Sequence, residues 1–308
     1  MRSTRVKLDE HAGGFRILGP DTPYHAVDPH LASIACRFDS GLSPSQIATY
    51  RAERGPFDLC FEDSWSGYFV ANALAAAGGH DDVTLIHLDH HTDMMSTLLE
   101  LSGNELVDPA LNSPFSPASA SDWEKSIESG CIGIGSFVTA LYYLPGKLHV
   151  RHLNDFKAST YAQYPVVRVA CGYPLIPDRM FAGIRKLPAR LGDRIDDALG
   201  SYLGGTDARR VLDSMPPGRV LVHIDLDYFI NDFNGNPGPA QVNSPADKKR
   251  QAQWKMDRFF AALSDRIPRV ERWIVATSPG FCSAVHWDWL LGVLEERIGH
   301  YSRTRSVR

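Results

Sequence analysis

Apolar positions along the chain gather into short runs that end in small or charged residues, and stretches of helical period follow several of them. The runs are Phe57–Phe61, Val83–Asp89, Lys147–Leu153, Pro165–Gly172, Arg219–Asp227 and Arg272–Ser278. Apolarity that is continuous rather than alternating predicts strands buried on both faces, as in a parallel sheet.

The intervening segments carry helix signals. The sequence GYFVANALAAAGG follows the first run, and Ser121-Asp-Trp-Glu124 fits a capping box. Ser244-Pro245 places an N-cap before a proline whose missing N–H is harmless at the first helical position. Met256, Phe259, Phe260, Leu263 and Ile267 then recur at three- and four-residue spacing and predict one buried face. A last helix is predicted from about His286 to Ile298, with Trp287 and Trp289 as core anchors.

Strands alternating with helices predict an α/β fold, a three-layer αβα sandwich around a mainly parallel sheet. No repeat or low-complexity linker divides residues 1–308, which read as one domain with residues 1–50 as an N-terminal extension that holds a short helix near Ser43–Arg54. Two loops, Met95–Ser121 and Asn231–Ser244, leave the carboxyl ends of predicted strands, where parallel sheets bind ligands.

Composition narrows the partners. Lys+Arg 32 against Asp+Glu 36 leaves a net charge of −4, so no basic field draws the chain to nucleic acid or to an anionic membrane. The five cysteines show no CxxC spacing, which argues against a disulfide framework or a thiolate zinc site. With no signal-like or membrane-spanning apolar run, the chain reads as cytoplasmic, and a homo-oligomer stays open.

The chemistry concentrates at two strand ends. Asp89-His90-His91-Thr92-Asp93 puts D-x-H-x-D at one, and Asp225-Leu226-Asp227 puts D-x-D at another. Alternate residues of an extended chain share a face, so Asp225 and Asp227 converge, as do Asp89, His91 and Asp93 if the chain stays extended. Four carboxylates so close repel one another unless a cation lies among them. Carboxylates with an imidazole and no thiolate suit Mn²⁺, Fe²⁺, Co²⁺ or Zn²⁺, and shared carboxylates favour a pair of ions over one. Capping could explain either acidic motif by itself, but not both together with a histidine.

The two motifs, in this order, resemble the metal-binding signatures of the arginase–deacetylase superfamily. Phe61-Glu62-Asp63, Ile134–Val138 and Thr277–Phe281 are similar to its divergent peptide arginase branch, which converts arginine side chains of ribosomally made peptides to ornithine. The resemblance implies an arginase-like fold, two Mn²⁺ ions and an arginine-containing precursor peptide as partner. It implies that Asp89 and Asp225 bridge the ions, that Asp93 completes one and that His91 and Asp227 complete the other. It also implies attack on the guanidinium carbon by a water whose pKa the ions lower, with Asp93 as proton acceptor and urea as the leaving product.

Three departures bear on this. Ser64 stands at the position of the superfamily's first histidine ligand, which leaves Asp63 or Glu62 to substitute. No shuttle histidine lies in Gly130–Gly135, a role open to His149 or His152 at the end of a strand, and no acid precedes Ser278-Pro279 to take the guanidinium. Glu62, Asp232 and Ser278 are candidate substrate contacts, Asp232 being otherwise a loop cap. His90 could orient a ligand, and His223 reads as a packed core histidine. A deacetylase acting on an acylated amine and a metal-binding protein without catalysis remain as alternatives.

Overall fold

The computed structural model describes residues 7–11, 14–18, 24–38, 42–76, 81–103, 105–156, 161–173, 176–188, 196–213, 215–235, 244–266 and 270–305. Strands β1 (Lys7–His11) and β2 (Gly14–Leu18) pair only with each other. The remaining elements follow in chain order: α1 (Leu31–Ala35), β3 (Arg51–Arg54), β4 (Phe57–Cys60), α2 (Ser66–Ala75), β5 (Val83–Leu88), β6 (Glu100–Ser102), β7 (Glu105–Asp108), β8 (Ser113–Phe115), α3 (Ala120–Glu128) and α4 (Phe137–Leu141). Then come β9 (Leu148–Leu153), β10 (Gln163–Tyr173), β11 (Ile176–Lys186), β12 (Gly200–Gly205), α5 (Ala208–Leu212), β13 (Arg219–Asp225), α6 (Pro245–Arg266), β14 (Arg272–Ala276) and α7 (Trp287–Arg305).

Twelve strands form one mixed sheet in the order β3-β4-β14-β13-β5-β9-β12-β10-β11-β6-β7-β8. The six from β4 to β12 are parallel, and the strands outside them are antiparallel. From β5 the chain proceeds outward through β9 to β12, then returns to add β13 and β14 on the other side of β5. The direction of winding therefore reverses between β5 and β13, and the loops leaving their carboxyl ends diverge to open a crevice.

Alternate residues of the parallel strands feed opposite cores. Ile86, Leu88, Val222, Ile224 and Val275 pack with Val211, Met256, Phe259, Leu263, Leu290 and Leu294 of α5 to α7. Leu85, Val150, Leu221 and Ile274 pack with Phe69, Leu74, Trp123, Phe137 and Leu141 of α2 to α4. Helices on both faces make three layers around the sheet. Leu31, Ile34 and Ile47 of the N-terminal extension join the first core, and Asp28 accepts from Ala284 N–H at 2.6 Å.

Several expectations need correction. Ser43–Arg54 is not one helix: a 3₁₀ turn over Pro44–Thr49 gives way to β3, which pairs antiparallel with β4. The cap of α3 is Ser119, whose hydroxyl accepts from Asp122 N–H at 3.3 Å, so the helix starts before Ser121. Met95–Ser121 is not a bare loop, because it contains β6 to β8. The run at Pro165–Gly172 is antiparallel, one arm of a long hairpin with β11. Ser244 caps α6 as expected, accepting from Asp247 N–H at 3.2 Å, whereas Ile267 lies outside the described residues.

Tight packing anchors the helix that leads out of the site. A Cβ added at Gly67, one residue into α2, would lie 2.2 Å from the buried Trp123 ring, whose indole N–H donates to Pro117 O at 2.9 Å. Gly67→Ala is expected to cost about 1–3 kcal/mol of stability, read as a lowered urea midpoint at unchanged slope.

Candidate metal centre

The β5–β13 register pairs Leu88 with Ile224, so Asp89 and Asp225 leave adjacent strand ends side by side. Beyond Asp89 the chain does not stay extended. Asp89 Oδ1 accepts from His91 N–H, and Asp93 adopts φ +49°, which turns its carboxyl back into the crevice. After β13 the chain also turns at once: Asp225 Oδ1 accepts from Asp227 N–H at 2.9 Å, capping a 3₁₀ turn over Leu226–Tyr228. The Asp227 carboxylate then accepts from His90 N–H at 3.1 Å and faces His91 Nδ1 at 3.0 Å. Asp63 enters from a third strand end, in a 3₁₀ turn after β4.

These side chains supply two groups of three that could each hold a metal ion, Asp63–Asp89–Asp93 and Asp89–His91–Asp227, and a third group, His87–Asp89–His223, reaches down into the strands, the donor atoms in each lying within 4.8 Å of one another. Asp89 belongs to all three. Asp225 and Ser278 line the same cleft. Ser278 has φ +55° and Asn234 φ +49°, so with Asp93 three non-glycine residues of the cleft hold a left-handed backbone, which asparagine tolerates and which costs the other two about 1–3 kcal/mol each.

The carboxylates are dry and crowded. Asp63, Asp89, Asp93, Asp225 and Asp227 are all at most 7% exposed. Asp63 Oδ1, Asp89 Oδ2 and Asp93 Oδ2 are buried without a hydrogen-bond partner. Burial first, then repulsion among neighbours, pushes Asp63, Asp89, Asp93 and Asp225 well above the usual carboxylate range. Such a cluster must take up protons or cations, and unpartnered oxygens aimed at a common point fit a divalent ion.

His91 behaves differently. Burial disfavours its charged form, but bonding and attraction to Asp227, then contact with Asn234, raise it to about 9. Beneath the carboxylates lies a row of three neutral imidazoles, His223, His87 and His152, at matching register on β13, β5 and β9. Burial lowers His152 and His223 to about 3 and His87 well below its usual value. The ring of His87 stacks on His223 with centroids 5.0 Å apart and tilts against His152 at 4.8 Å, about the spacing of the strands. His152 Nε2 lies 3.0 Å from Asp89 O, so it must donate there; Nδ1 is then the acceptor for the Tyr202 hydroxyl at 2.7 Å.

Above the acids opens a cleft of about 630 Å³, walled by Met95, Ile134, Phe156, Pro279 and Phe281, with Glu62 at its side. Asp89, His91, Asp93, Asp225, Asp227 and Asp63 thus meet at one place, and Glu62 and Ser278 line the cleft. Two expectations fall elsewhere. His149 pairs in register with Thr84, four residues or about 13 Å before the end of β9, and its Nδ1 is 2.9 Å from Ser201 Oγ. It therefore lines a separate cavity with Lys147 and Gln163 and cannot shuttle protons to the cleft.

Asp232 likewise does not reach the cleft, because the 3₁₀ turn carries the chain past it. It binds Lys248, accepts from Ser283 N–H at 3.1 Å and faces His286 Nε2 at 3.3 Å. Burial would raise it, but these bonds, led by His286, hold it at about 2. His90 contributes its backbone N–H to Asp227, and His223 is the core residue its place in an apolar run predicts. Sequence reasoning passed over His87, although H-x-D occurs at both strand ends, His87-Leu-Asp89 and His223-Ile-Asp225.

No family model matches the chain, and comparison with curated proteins gives no significant match. Among the described residues, no helix is long and apolar enough to cross a membrane.

The cluster makes stability depend on ions and pH in a defined direction. In unfolded chain the carboxyls ionise near pH 4, whereas in the fold they keep protons to higher pH, so the metal-free protein loses stability as pH rises above about 4. Saturating Mn²⁺ is expected to relieve the repulsion. Its effect on melting temperature is expected to grow with pH, from little at pH 5 to at least about 5 °C at pH 8, in differential scanning fluorimetry against a chelated sample.

Proposed function

We propose that the chain is a binuclear metal-dependent hydrolase with an arginase-like site that converts arginine side chains within a peptide to ornithine, releasing urea. The observation that carries this reading is the pair of donor groups sharing Asp89 beneath a single cleft. Bound ions supply Lewis acidity and lower the pKa of a water molecule to the neutral range.

The chain's own residues do the rest. Glu62 beside the cleft attracts a cationic head and can bond the guanidinium N–H groups in the role of the missing acid before Ser278-Pro279. Met95, Ile134, Phe156 and Phe281 suit the methylene stem of arginine and exclude water around it. Asp93, held by its left-handed backbone at the cleft floor, is placed to accept the proton that the attacking water loses. The leaving urea carries the guanidinium carbon away, and the side chain keeps an amine.

No tyrosine stands among the described residues of the cleft wall, which counts against the deacetylase alternative. Free arginine would bring an α-carboxylate, and the described cleft wall offers it neither lysine nor arginine. A peptide masks that charge as an amide.

Mass spectrometry of arginine-containing peptides after incubation with Mn²⁺-loaded protein tests the reading, each converted arginine losing the mass of cyanamide. We expect kcat/KM for peptidyl arginine to exceed that for free arginine by about a hundredfold, equivalent to about 2.7 kcal/mol of transition-state binding. Asp89→Asn and Asp225→Asn should each abolish urea release without lowering the melting temperature of the chelated protein, since each removes a repelling charge and opens no cavity. Near-full turnover by either variant contradicts the assignment.

A further inference from the structure

The residue that compensates for serine at position 64 is the open question of the site. Asp63 supplies an oxygen there, yet one buried nitrogen also points into the group. His87 Nε2 is fully buried and has no hydrogen-bond partner. It lies 3.5 Å from Asp89 Oδ2 and 3.6 Å from Asp93 Oδ2, two oxygens that are themselves buried and unpartnered.

These separations are too long for hydrogen bonds, whose heavy atoms sit about 2.7–3.2 Å apart. They suit ligands arranged about a common ion, since bonds of about 2.0–2.2 Å at tetrahedral angles put neighbouring donors roughly 3.5 Å apart. The other ring nitrogen is also accounted for: His87 Nδ1 is 2.9 Å from His223 Nδ1, so one of the two donates to the other. If His87 is the donor, its Nε2 carries the lone pair that a metal needs, and His223 is the acceptor that fixes this tautomer. If His223 is the donor, His87 Nε2–H faces two carboxylates at distances where it bonds neither; His223 Nε2 is buried without a hydrogen-bond partner in either case, so a metal on His87 Nε2 is what separates the two tautomers. The Phe137 ring, with centroid 6.0 Å from that of His87 and 5.1 Å from that of His223, packs against both imidazoles.

We propose that His87 Nε2 is a nitrogen ligand of the ion held by Asp63, Asp89 and Asp93, taking the place of the histidine that Ser64 cannot supply. His223 acts through it as a positioning residue. The proposal rests on the metal-site reading above and adds to it a ligand drawn from within the strand rather than from the turn after β4. With that nitrogen the group changes from all-oxygen to mixed donors, which favours Mn²⁺, Fe²⁺, Co²⁺ or Zn²⁺ over Mg²⁺ and Ca²⁺.

Nitrogen NMR of the full chain, labelled in histidine and loaded with the NMR-active isotope of cadmium as an ion close to Mn²⁺ in size, decides the point without turnover. Expected are an unprotonated His87 Nε2 split by coupling to cadmium, a protonated His87 Nδ1, and a second split resonance from His91. A His87 Nε2 that stays protonated while two ions bind overturns the proposal and leaves the hydrolase reading standing. Failure of any ion to bind overturns both. In calorimetric titration with Mn²⁺, His87→Gln, which fills the same space with a weaker ligand, should lose at least a hundredfold in affinity at one site and leave the other within a few-fold. Equal affinities in variant and native protein also overturn the proposal.

Discussion

The structure depends on one electrostatic constraint: five carboxyl groups crowded at the carboxyl ends of three strands and almost wholly buried. In a medium of low polarizability such charges cannot all persist unless protons or cations lie among them. Asp89 expresses the constraint most strongly. It is fully buried, its backbone carbonyl accepts from His152, one carboxyl oxygen accepts from His91 N–H, and the other faces the Asp93 side of the cluster with no hydrogen bond. A residue so fully committed cannot relax away from its neighbours.

The fold enforces the crowding by topology. Winding reverses between β5 and β13, which places two acidic strand ends side by side although more than a hundred residues of chain separate them. Two 3₁₀ turns, at Asp63–Trp65 and Leu226–Tyr228, and the left-handed backbones of Asp93 and Ser278 then bend the emerging segments inward. Backbone strain, buried charge and unpartnered polar atoms all oppose stability, and they coincide at one cleft. Function is the simplest reason for a chain to keep them together.

Much of this was legible in the sequence. The four acids and His91 could be picked out from their spacing at the ends of two apolar runs, although turns rather than the expected extended alternation bring them together. The α/β alternation followed from runs such as Val83–Asp89, whose strands are buried on both sides. Other elements left weaker traces. Strand β12 reads GSYLGG, and its glycines carry no strand signal although it completes the parallel core. The short strands β6 to β8 lie in a segment whose prolines, serines and asparagines look like a loop. His149 misled because a histidine near the end of an apolar run says nothing about which end of the sheet it occupies. His87 escaped notice because a buried imidazole within a strand looks like packing until the carboxylates beyond it are placed in space.

We propose that the two donor groups at the cleft, joined at Asp89, hold two ions. Crystals grown with Mn²⁺, with anomalous diffraction measured on both sides of the manganese absorption edge, test it most directly. The account predicts two anomalous peaks, one among Asp63, Asp89 and Asp93 and one among Asp89, His91 and Asp227, with Asp89 reaching both. No peak in the cleft, or manganese bound only at surface carboxylates, would contradict it.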